Sequence, residues 1–146
     1  MSESSCGSNG QIMILPCSGG SNVGQLSNKA AVELTKEGFG KMFCLAGIGA
    51  HLGGFVKSAQ DIPTLIAIDG CSVGCAKTIL EHAQIPVKNH LVITDLGIEK
   101  NKDLNLKESE INDVKQGVKK IYAKEVASKL PPPNIMGVGC CCSGKC

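Results

Sequence analysis

Residues 64–84 read TLIAIDGCSVGCAKTILEHAQ, and their hydrophobic period changes partway along. The first six, TLIAID, follow Pro63 as a short continuous apolar run, the pattern of a strand buried on both faces. Beyond Gly70, the residues Val73, Ala76, Leu80 and Ala83 recur at helical spacing, with Ser72 as the predicted N-cap and Pro86 as the stop. A buried strand feeding directly into a helix is half of a βαβ unit, so this stretch predicts a parallel sheet covered by helices.

The same alternation extends in both directions. Upstream, QIMILP (11–16) predicts a buried strand that breaks into CSGGSNVGQLSN, with Ser21 or Asn22 capping a helix that carries Val23, Leu26, Ala30 and Leu34. Gly38 and Gly40 stop it, KMFCLA (41–46) predicts a second short buried strand, and Gly47, Gly49, Gly53 and Gly54 flank a weaker helix with Leu52, Phe55, Val56 and Ala59. Downstream, HLVITD (90–95) predicts a fourth strand, and Asn105 with Glu108 resembles a capping box opening a long helix to about Ala127. Its predicted inner face runs through Ile111, Val114, Val118 and Ile121 to Glu125. The expected fold is a three-layer α/β sandwich over residues 11–130, a mostly parallel sheet of about four strands with helices on both faces. Residues 1–10 read as a mobile arm, and three prolines at 131–133 hinge a cysteine-rich tail, 131–146.

A chain of 146 residues can bury roughly two thirds of its unfolded surface, so disulfides are not needed for folding. The opening MSESSCGSNG has neither the basic start nor the apolar core of a signal peptide, and no segment approaches a membrane span. The expectation is a cytoplasmic protein with reduced thiols, where patterned cysteines serve as metal ligands or redox groups. Net charge is +2, the fifteen lysines are interspersed with thirteen acidic residues, and aromatic residues are scarce. That balance argues against nucleic-acid and membrane partners. The chain contains no arginine, which excludes a Cys-x5-Arg phosphatase loop, and CSGGSNVG lacks the lysine of a nucleotide P-loop. Bare anion binding by its backbone amides stays open as a minor reading.

Cys17, Cys44 and Cys71 lie 27 residues apart, each at or near the end of an apolar run. One strand and its crossover helix take about 30 residues, so the spacing can return the chain three times to one sheet edge. Cys75, four residues after Cys71, completes a four-sulfur set, and four thiolates suit a tetrahedral zinc ion. Helix starts after Cys17 and Cys71 are expected to favour the thiolate form. Other readings stand beside this one. Cys44 reads equally as a small core residue, Cys71 and Cys75 as a redox dithiol, and an iron–sulfur cluster takes the same ligands. His51, Asp69 and Asp95 are candidate supporting or catalytic groups near the site, although a strand-end Asp69 accepting backbone amides is the plainer role. His82 and His90 have no partner suggested by sequence, and Cys6 no evident role. In the tail, Cys140, Cys141, Cys142 and Cys146 form an accessory set for soft metals.

The segments PCSGGSNVGQLSNKAA, CLAGIGA, IDGCSVGCAK and TDLGIEK together resemble the DGC domain family, described as zinc-binding proteins with four characteristic cysteines. The Asp-Gly-Cys triplet of that family stands here as Asp69, Gly70 and Cys71, and the resemblance covers roughly residues 11–128. It implies a metal site of Cys17, Cys44, Cys71 and Cys75 with zinc as cofactor, and no defined reaction. The functions to be weighed are zinc binding for sensing, storage or transfer; a thiol redox or sulfur-transfer enzyme with Cys17 or Cys71 as nucleophile; and a metallochaperone or metalloid-binding module using the tail. The partner common to the metal readings is the ion itself.

Overall fold

The computed structural model describes residues 11–129. The expected arm at 1–10 and the proline-hinged tail at 131–146 lie outside the described residues. The element order is β1 (Ile12–Pro16), α1 (Asn22–Lys36), β2 (Lys41–Met42), α2 (Leu45–Gly49), α3 (Gly53–Asp61), β3 (Thr64–Asp69), α4 (Cys75–His82), β4 (Asn89–Val92), a 3-10 turn at Ile93–Leu96, and α5 (Glu108–Lys129).

The four strands form one all-parallel sheet in the order β2-β1-β3-β4. β1 and β3 are the central pair, in register from Ile12 opposite Thr64 to Pro16 opposite Ile68, and both are buried along their length. Alternate side chains leave the sheet on opposite faces. Ile12, Ile14, Ile66, Ile68 and Leu91 pack with Val23, Leu26, Ala30 and Leu34 of α1 and with Ile111, Val114 and Val118 of α5. Met13, Leu15, Leu65 and Ala67 pack on the other face with Ile48 of α2, Ala59 of α3, and Ala76 and Leu80 of α4. The expected three layers with helices on both faces are therefore present. Among the described residues no helix is long and apolar enough to cross a membrane.

Local expectations differ in four places. KMFCLA is not a buried strand: β2 is only Lys41–Met42, and Cys44 is the exposed N-cap of α2. The weak helix predicted after it is α3, with Leu52 as its N-cap, and a second short helix, α2, not expected, precedes it across Ala50–Leu52, where His51 takes a φ of 52°. The third difference concerns α4, which begins at Cys75 after Gly74, whose φ of 67° favours glycine. Ser72 does not cap it, and Val73, 68% exposed, stands in the preceding turn and not on the inner face. Finally, the amide side chain of Asn105 donates to Asp103 at 2.9 Å, so it forms no capping box for α5.

Candidate functional site

β1 leads to β2 on one side, and β3 lies on the other, so the strand order reverses between the carboxyl ends of β1 and β3. Ligands of open α/β sheets bind at such a point. Cys17 follows β1 there, and Asp69, Gly70 and Cys71 follow β3.

Cys17 extends the β1–β3 pairing by one residue, its amide donating to the Ile68 carbonyl at 2.8 Å. Its half-buried Sγ accepts the Gly70 amide at 3.1 Å. Ser27 of α1 approaches the same sulfur and donates its hydroxyl to the Ile68 carbonyl at 2.9 Å. Burial pushes the Cys17 thiol above the ordinary thiol value; the Gly70 amide and Ser27 hydroxyl oppose this, while Asp69 and Cys75 reinforce it. The expectation that a helix start favours the Cys17 thiolate is thereby corrected. α1 begins only at Asn22, and desolvation outweighs the donors. Gly70 has a packing reason: a Cβ there would meet the backbone carbonyl carbon of Val23 at 2.8 Å and the Gly24 amide nitrogen at 2.9 Å.

Asp69, 1% exposed, ends β3 and turns its carboxylate to α4. Oδ1 accepts the Ala76 amide at 2.8 Å, Oδ2 accepts the Lys77 amide at 3.1 Å, and Oδ2 also meets Nε2 of His90 at 2.8 Å. This is the amide-accepting role expected of a strand-end Asp, and it replaces the Ser72 cap. Cys75, the first residue of α4, is exposed. Cys71 is half-buried, and Lys100 donates to its Sγ at 3.4 Å.

A cavity of about 400 Å³ opens over the switch point, lined among others by Cys17, Cys71, Cys75, Asp69 and Lys100, with Gly19 on its rim. The three cysteines come from two chain segments, the turn after β1 and the passage from β3 into α4. Cys17 packs on the α4 side of the sheet and Cys71 on the α1 side. Cys44, exposed at the start of α2, does not line the cavity, nor do His51 and Asp95, both exposed. Cys140, Cys141, Cys142 and Cys146 lie outside the described residues. The four described cysteines are free thiols, and among the described residues no three His, Cys, Asp or Glu side chains are grouped so as to hold a metal ion.

Three contributors escape the sequence reading. Lys100 lies in a polar turn with nothing in its spacing to mark it. Ser27 sits inside α1 among apolar positions, where a buried hydroxyl is a weak signal. His90 is the most legible of them: on the strand period it falls opposite Ala67, on the face that α4 covers.

Comparison with known proteins gives a family. The model of the DGC domain family matches residues 13–118. The chain is 33% identical over 88 residues to the anaerobic and virulence modulator AnvM of Pseudomonas aeruginosa, a match covering 60% of this chain and 67% of that protein. No solved structure matches. With most of its described residues inside the family match and the Asp-Gly-Cys triplet at the switch point, the chain belongs to the DGC domain family.

Proposed function

We propose that this domain binds a thiophilic metal ion, zinc foremost, through Cys17, Cys71 and Cys75, with Cys44 as the fourth thiolate, and that it serves metal sensing or transfer. The observation that carries the reading is that three cysteines, from the segments that follow β1 and β3, line one cavity at the switch point. The donor set fits such an ion in chemistry, but no three of these side chains are grouped as ligands, so the cysteines must draw together on binding, Cys44 the furthest since it follows a two-residue edge strand and lies outside the cavity. A bound metal would supply a positive centre that neutralises the thiolates, including that of Cys17, which burial otherwise disfavours. The residues around it act in stated ways: Gly70 donates to Cys17, Lys100 donates to Cys71, and Asp69 holds the start of α4. Sensing agrees with the regulatory name of AnvM, because thiolates both ligate metals and oxidise. This reading takes the thiols as reduced, the state kept in a cytoplasmic setting.

A second reading has its own observation. The Lys100 ammonium 3.4 Å from the Cys71 sulfur suits a reactive thiol, with Cys75 four residues on as its partner in a thiol redox or sulfur-transfer cycle. Elemental mass spectrometry with a free-thiol count separates the two, on the full chain and on the full chain with Cys140, Cys141, Cys142 and Cys146 changed to serine. About one zinc per chain in both forms, lost on Cys17→Ser or Cys75→Ser, is the expected result. Metal-free protein whose thiols oxidise reversibly in pairs overturns it in favour of the redox reading. Zinc that disappears with the tail serines moves the site to the tail.

A further inference from the structure

α4 has no side-chain cap of its own. Its N-cap is Gly74, and the carboxylate that meets its first free amides comes from Asp69, at the end of the preceding strand. Those amides belong to Ala76 and Lys77, the residues directly after Cys75, so the orientation of the Asp69 carboxylate sets where α4 begins and where the Cys75 sulfur stands. A carboxylate can rotate. Apart from the 3.1 Å Lys77 amide, Oδ2 is held by Nε2 of His90 at 2.8 Å. His90 reaches it from β4, where the register sets His90 opposite Ala67 and Val92 opposite Asp69. The pair is sequestered, Asp69 almost wholly and His90 with about a fifth of its side chain exposed, so water competes weakly for this contact. His90 does not line the cavity and touches no cysteine there.

We propose that His90 is a positioning residue of the thiol pocket: by locking the Asp69 carboxylate it fixes the start of α4 and so presents Cys75 to Cys17 and Cys71. This deepens the metal-binding reading above and rests on it for its consequence, but the positioning itself can be read without metal. The arrangement is the outer-shell logic of metal sites, in which a residue that never touches the ion orients one that does; loss of such a residue typically lowers metal affinity by about 10–100-fold.

The test compares full-length His90→Ala and His90→Gln, the glutamine offering an amide donor where Nε2 stands. Zinc affinity is read by competition with a chromophoric chelator. Maleimide labelling rates of Cys75 and Cys44 are read by peptide mapping on the metal-free protein, and far-UV circular dichroism and melting check the fold. The expected result for His90→Ala is a retained fold, zinc affinity lower by about 10–100-fold, and a Cys75 labelling rate changed several-fold while that of Cys44 holds. His90→Gln is expected to restore both toward wild type. An unchanged Cys75:Cys44 labelling ratio overturns the proposal, as does a glutamine variant that behaves like alanine. If His90→Ala fails to fold, the His90→Gln labelling ratio decides: a wild-type ratio supports positioning through a donor, and an altered one overturns it. Wild-type protein that takes up no zinc overturns the metal-binding reading alone, since the labelling ratio still decides the role of His90.

Discussion

Cys17 and Cys71 at the centre of the sheet, and Cys44 at its β2 edge, share one sequence spacing and reach different ends. β1 and β3 pair over five positions, and their carboxyl ends deliver Cys17 and Asp69-Gly70-Cys71 to the same cavity. β2 pairs over two positions, and Cys44 leaves it exposed. A repeat of 27 residues brings the chain back to one edge of the sheet, but only a long, fully paired strand delivers its last residue to a defined point. The central thiols are thus delivered to the cavity by backbone pairing, whereas Cys44 stands exposed at the start of α2, outside it.

Substitutions at the two regions break or sharpen this contrast. The largest effect belongs to Gly70→Ala, whose Cβ meets the Val23 backbone at 2.8 Å, where no flexible side chain can give way. A loss of about 1–3 kcal/mol in urea unfolding is expected, and a change under about 0.5 kcal/mol would show that the α1–β3 approach is soft. Next comes Thr35→Ala. The Thr35 hydroxyl accepts the Met42 amide at 2.9 Å and donates to the Ala31 carbonyl at 2.8 Å, tying β2 to α1. Its loss is expected to lower stability by about 1 kcal/mol and to speed labelling of Cys44 but not of Cys17; equal acceleration of both would remove the distinction drawn between edge and centre.

A pH experiment gives a smaller, sharper reading. Burial raises the Cys17 thiol above the ordinary thiol value of 9.0, so below that pH folded and unfolded chains alike keep the proton. As pH rises through 9.0 the unfolded chain releases it first, and folded metal-free protein is expected to lose stability relative to Cys17→Ser. Iodoacetamide is correspondingly expected to modify exposed Cys44 before Cys17; the reverse order would mean that the Gly70 amide outweighs desolvation. The smallest effect is Gly54→Ala in α3, where a Cβ meets nothing within 4 Å. A gain of about 0.5 kcal/mol is expected from helix propensity, in contrast to the loss at Gly70.

The parts of the fold legible in the sequence are those whose signal is local and strong. TLIAID coincides with β3 at Thr64–Asp69, because a strand buried on both faces must be apolar throughout. Ser21 caps α1, its Oγ accepting the Gly24 amide at 3.3 Å, as its position before the periodic residues indicates. The misread elements have weak or borrowed signals. MFCL is apolar enough for a strand, yet it lies at the sheet edge with a glycine-bearing helix right behind it, and its bonding to β1 ends with the Phe43 amide on the Ile14 carbonyl at 2.9 Å. Ser72 has the chemistry of an N-cap, but the Asp69 carboxylate already occupies the amides it would need.

The sequence by itself determined the alternation of strand and helix, the parallel sheet with two covered faces, and the arrival of cysteines at its carboxyl edge, because hydrophobic period and strand–helix length are written in neighbouring residues. Only the tertiary structure decided that β1 and β3 are adjacent, that Cys17, Cys71 and Cys75 share a cavity without Cys44, and that His90 and Lys100 join the group. Those facts depend on strand order, register and the close approach of α1 at Gly70, contacts between residues far apart in the chain that no local pattern encodes.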